Sequence, residues 1–127
     1  MGGGITETSL WTNSAPTSSF AQQDITLSDN IQNYDYIKIR YKRPTTSGTV
    51  ENIVMTPVST FVSLGTYGSS TAKPFLSIAC GSNVRIRYVS YKSDTSINFS
   101  ASYNVTASGS DTSSNIPLEV IGIKVEA

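Results

Sequence analysis

Apolar and polar residues alternate along much of this chain with the two-residue period of a β-strand. In YDYIKIRYKR (residues 34–43), Ile37, Ile39 and Tyr41 share one side, and Tyr36, Lys38, Arg40 and Lys42 share the other. NVRIRYVS (83–90) sets Val84, Ile86 and Tyr88 against Arg85, Arg87 and Val89, so the first group is expected inward and the arginines outward. INFSASYNV (97–105) alternates Ile97, Phe99, Ala101, Tyr103 and Val105 with Asn98, Ser100, Ser102 and Asn104, the pattern of a half-buried antiparallel strand. Further strands are predicted at residues 10–13, 20–27, 50–56, 61–64, 75–79 and 116–125, and helical three-four spacing never persists beyond a turn. Clusters such as SDN, TTSG, YGSS, CGSN, KSDTS and SGSDTSSN supply the turns. The sum is an all-β fold: an antiparallel β-sandwich, jelly-roll-like, with about eight or nine strands.

The final run, NIPLEVIGIKV, is apolar on both sides. Ile116, Leu118 and Val120 alternate with Ile121, Ile123 and Val125 across a change of phase. Such a strand is central and buried on both faces, or it lies at a subunit contact. The phase change points to a bulge at Gly122.

Composition narrows the functional classes. The 127 residues suit one domain, residues 5–127, behind a flexible glycine leader at residues 1–4. Ser and Thr exceed a quarter of the chain, and no run approaches the ~18 apolar residues of a spanning helix, so no membrane partner is expected. The formal net charge of zero argues against a dedicated nucleic-acid binder or a polybasic membrane-surface protein. The single cysteine, Cys80, excludes an intrachain disulfide. With no histidine, Ser-His-Asp and Cys-His catalysis and the common zinc sites are ruled out. Neither a cofactor nor a metal is expected.

The nine carboxylates are scattered. A glycosidase needs two of them about 5–9.5 Å apart. Glu51 and Glu119 fall on predicted strands, but nothing in their spacing brings them together, so the expectation is a protein that is not an enzyme. Binding candidates are Tyr67 in the glycine loop GTYGSS, and Tyr91 and Asp94 in or beside another predicted turn, where exposed tyrosine suits sugar stacking. Trp11, the lone tryptophan, reads first as a core or interface residue. Lys38, Arg40 and Lys42, joined by Arg85 and Arg87 if the two strands are neighbours, would form a positive face. Two roles are open for it: a solvated face balanced by Glu51 or Asp35, or a site for an anionic polymer or an acidic partner surface. Tyr41 and Tyr88 fall on the side opposite the cations, which weakens a nucleic-acid role.

ITETSLWTNSAPTSSFAQQDITLSDNIQNYDYIKIRY (residues 5–41) and the closing IPLEVIGIK (116–124) resemble a module near the C-terminal ends of virion structural proteins. These proteins belong to phages and prophages of Gram-positive, often gut, bacteria. The resemblance covers about the first third and the last tenth of the chain, on phrases such as LWTN-x-x-P-x-x-x-F and TLSD, and carries no catalytic motif. It implies a virion protein made in the host cytoplasm, in a tail fibre, baseplate or similar appendage. Its expected partners are host cell-wall or capsular polysaccharide, other virion proteins and copies of itself, a homotrimer by analogy. The alternative is a structural module for capsid decoration or tail assembly, bound to another virion protein.

Overall fold

The alternating segments pair into two sheets. The computed structural model describes residues 4–42, 51–64, 76–80, 85–104, 109–112 and 114–126. Its strands are β1 (Ile5–Thr12), β2 (Gln23–Thr26), β3 (Tyr36–Lys42), β4 (Glu51–Pro57), β5 (Leu76–Cys80), β6 (Arg85–Ser93), β7 (Ser96–Asn104), the two-residue β8 (Ser110–Asp111) and β9 (Ile116–Val125). Sheet A runs β1-β9-β3-β4; sheet B runs β2-β7-β6-β5, with β8 on β7. All ladders between them are antiparallel. This is an antiparallel β-sandwich. As in a jelly roll, β1, β2 and β3 alternate between the sheets and the last strand lies beside the first, while the middle of the chain pairs as local hairpins.

The core follows the sequence pattern most closely in β3. Ile37, Ile39 and Tyr41 are buried, and the residues between them are half-exposed. Burying Ile37 and Ile39 stabilises by roughly 1.5–3 kcal/mol each. Across the sandwich they share one apolar cluster with Val89, Ile97 and Phe99 of sheet B. β9 is central, between β1 and β3, and is covered on both faces: Val120 enters the core, and Ile121 and Ile123 lie buried on the outer side.

Four expectations are corrected. The strand predicted at residues 61–64 is part of a helix, α1 (Val58–Leu64). Val58, Phe61 and Val62 recur at helical spacing and the first two are buried, so packing overrides the β preference of these residue types. Gly122 is not a bulge. The registers shift at Leu10 of β1, opposite Ile121 and Val120, and at Leu118 of β9, opposite Arg40 and Tyr41. Glycine is required at 122 because the Tyr34 ring packs on it: a Cβ there would sit 2.6 Å from Tyr34 Cγ. The Tyr34 hydroxyl donates to Asp29 at 2.8 Å, so the ring is anchored at both ends.

The third correction is in β7. Ile97 and Phe99 are inward as predicted, but a register shift between Phe99 and Ser102 brings Ser100 and Ser102 inward too. Ser100 Oγ accepts the Tyr88 backbone N–H at 2.8 Å beside this bulge. The fourth is in β6, where the faces are divided as expected but turned the other way. Arg87 and Val89 are inward, and Ile86 and Tyr88 are half-exposed. Tyr88 meets Tyr103 with ring centroids 6.0 Å apart.

Candidate functional site

The expected basic face does not assemble. Lys38, Arg40 and Lys42 lie on the outer side of sheet A, whereas Arg85 and Arg87 belong to sheet B. The Arg85 side chain lies outside the described residues. Arg87 is 0% exposed. Its Nε donates to Asn115 O at 3.0 Å and its Nη1 to Phe20 O at 2.9 Å and Ser100 O at 2.6 Å. Nη2 donates to Ser114 O at 2.9 Å. The guanidinium also stands 5.4 Å from the Phe20 ring centroid. The small inward side chains Ser100 and Ser102 leave room for it. Asn115, at φ 52°, turns its segment toward the same point; asparagine tolerates that left-handed backbone better than most residues. Arg87 therefore ties the Phe20 segment, β7 and the entry to β9 together, and does not meet a surface partner.

On sheet A, Lys38 and Arg40 are matched by carboxylates of the same chain. Lys38 Nζ donates to Glu7 at 2.9 Å. Arg40 donates through Nη1 to Glu119 at 2.6 Å and through Nη2 to Glu51. Glu51 thus balances this face as one of the two readings had it, while Asp35 accepts the Val125 N–H at 2.7 Å instead. Because β9 lies between β3 and β1, the Lys38–Glu7 bridge crosses above Ile121 and Ile123 and shields them with its methylene stem. Glu51 and Glu119 do approach one another, on opposite ends of one guanidinium. A hydrogen bond from Ser9, and then the Arg40 guanidinium, hold the Glu119 carboxyl below its ordinary value of 4.5. A general acid needs the opposite shift.

Tyr91 and Asp94 are brought together, as each other's partners. Tyr91 donates its hydroxyl to Asp94 Oδ1 at 2.7 Å, and Gln32 Nε2 donates to the same oxygen at 2.8 Å. These bonds, Gln32 first, lower the Asp94 pKa; the Asp94 carboxylate raises that of Tyr91. The Tyr91 ring stands edge-on to Phe61 at 6.3 Å, and Ile31 N–H donates to Asp94 O at 2.8 Å. The pair clamps the β6–β7 turn onto the 3-10 turn Ile31–Asn33. Tyr67 lies outside the described residues. Among the described residues no three His, Cys, Asp or Glu side chains gather as a metal site.

Among the described residues a concave feature lies elsewhere, where β1 and β2 are joined. A cleft of about 250 Å³ is lined by Trp11, Thr12, Asn13, Ser14, Ala15, Ser19, Phe20 and Gln23. Its aromatic floor is fixed from below. Trp11 is 5.9 Å from Phe20 and 6.0 Å from Phe99 between centroids, and Phe20 meets Phe99 edge-on at 5.7 Å. Its rim is held by Asn13, whose Nδ2 donates to Pro117 O at 2.8 Å and whose Oδ1 accepts the Ala15 N–H at 2.8 Å. Gln23 Nε2 is turned to Ala21 O at 3.0 Å. The arrangement is a half-buried indole beside neutral hydroxyls and amides, which suits a polar, uncharged ligand with apolar patches. Trp11, expected as a core or interface residue, packs half-buried against the core and also lines this cleft, whereas Asn13, Ser14 and Gln23 were not expected there. The one signal in the chain is the polar run TNS directly after the only tryptophan.

No protein-family model matches this sequence. A search of curated proteins likewise gives no match.

Proposed function

We propose that this chain is a non-catalytic binding domain of a phage virion appendage, of the tail-fibre or baseplate kind, that attaches to host cell-surface glycan through the Trp11 cleft. The cleft is the observation that carries this reading: a rigid aromatic floor, a neutral hydrogen-bonding rim and no ionised side chain among its lining residues. A sugar ring presents the complementary surface, C–H faces for the indole and hydroxyls for the rim. The likeness of residues 5–41 and 116–124 to virion modules supplies the biological setting.

Trp11 is the only tryptophan, so its fluorescence reports on the cleft alone. Titration with solubilised cell-wall and capsular polysaccharides is expected to shift that emission. Gln23→Ala should weaken the response by about 1 kcal/mol, roughly fivefold, without changing the melting temperature. Emission unmoved by every polysaccharide, together with no attachment to host cells, would sink the reading. A structural role bound to another virion protein is the second reading. The outer face of sheet A favours it, because Ile5, Ile53, Met55 and Val125 all lie exposed there.

A further inference from the structure

The two edges of sheet A are protected to different degrees. β1 carries a bulge at Leu10, and the chain leaves it through the cleft-forming segment. Bulges and charges are the usual guards against pairing with another chain. β4 has neither guard in its centre. Its register on β3 is unbroken over seven residues, from Glu51 to Pro57. Among the described residues no strand pairs with its other side. The only charge on it, Glu51, is at one end and is held by Arg40, and the only proline is at the other end. Between them Ile53 is 59% and Met55 54% exposed. No residue of β4 is buried on either face.

We infer that β4 is a self-association edge that pairs antiparallel with β4 of a second copy, about Val54, joining two sheets A across a two-fold axis. The sequence of the strand is complementary to itself in this register. Antiparallel pairing centred on Val54 sets Ile53 opposite Met55 of the other copy, Asn52 opposite Thr56, and Glu51 opposite Pro57. Apolar side chains thus meet apolar, polar meet polar, and the two Glu51 carboxylates stand at opposite ends. Any other register exposes part of this match. The pairing satisfies the outward N–H and C=O groups of both edges and covers Ile53 and Met55, and isologous contacts of this kind close at two subunits. It rests on the geometry of sheet A and is independent of the ligand in the Trp11 cleft.

Sedimentation equilibrium of the full chain over rising concentration tests it, with amide hydrogen exchange on the same samples. The expected result is a reversible monomer–dimer equilibrium in which β4 amides gain protection as concentration increases. The variant Ile53→Glu/Met55→Glu places like charges opposite one another in the dimer, while Arg40 and Lys38 beside them in β3 accommodate both within the monomer. It should raise the dimer Kd about tenfold or more. Ile53→Glu/Met55→Lys places opposite charges across the same axis and should recover the dimer in low salt. A chain that stays monomeric, a trimer, β4 protection independent of concentration, or equal loss of association in both variants would overturn the inference.

Discussion

Arg40 and Arg87 sit in nearly the same phrase, IKIRY and VRIRY, and meet opposite fates. Arg40 lies on the outer side of sheet A, about a third of its side chain exposed, between two carboxylates. Arg87 is sealed inside the sandwich, its guanidinium given to backbone carbonyls. Alternation alone leaves the covered face open. It decides which residues share a face; the surroundings decide which face is covered. Ile37 and Ile39 fill the space facing β3, while the space facing β6 is bordered by Ser100, Ser102, Ser114 and Asn115 and is too polar to be filled by isoleucine alone.

The largest effect is expected at Arg87. Arg87→Ala removes the side-chain donor from four carbonyls, at about 1–3 kcal/mol each, so a total loss of at least about 4 kcal/mol is expected in urea unfolding. Arg87→Lys should recover only part of it, because one ammonium cannot reach acceptors on the Phe20 segment, β7 and the entry to β9 together. A loss below about 1 kcal/mol for Arg87→Ala would make the two arginines equivalent. At the other site Arg40→Met should cost no more than about 1 kcal/mol, and the cost should shrink in high salt as surface ion pairs do.

The smallest effect separates the sites by pH. The Glu119 carboxyl is held below its ordinary value of 4.5, so its contribution is fully present above that pH and is lost as pH falls through the lowered, folded value. The melting temperatures of wild type and Glu119→Gln should therefore converge on acidification below about pH 4.5. The gap between wild type and Arg87→Ala should persist there, because backbone carbonyls do not titrate in this range.

These two strands also mark how much was legible in the chain. The sandwich, the antiparallel pairing and the inward set of β3 follow from period-two spacing and turn chemistry alone. What escaped were consequences of partners distant in sequence. The phase of β7 changes because of a bulge whose hydroxyl serves β6. Gly122 is set by a tyrosine 88 residues earlier, and its role resembled a bulge because both call for glycine. α1 is two turns of β-favouring residues whose helical spacing is too short to stand out. At the site, Tyr91 and Asp94 read in the sequence as binding residues at a turn, and in the fold they bond to one another. The cleft was illegible because its floor, Trp11 and Phe20, is set by contacts with Phe99 from a third segment.

The position of β9 has a consequence for synthesis. It is the central strand of sheet A, and it follows every other described strand in chain order. Most of sheet B forms from hairpins whose halves emerge one after another, β5 with β6 and β6 with β7, and β2 waits for β7. Sheet A cannot do so: until residues 116–125 leave the ribosome, β1 has no neighbour in the sheet and β3 has only β4. Pairing of residues more than 100 positions apart, Ile5 with Val125, carries a large loop-closure cost and cannot precede the synthesis of β9. During translation the nascent chain carries an unfilled slot one strand wide, and any agent that supplied a strand to it early would arrest folding at that stage.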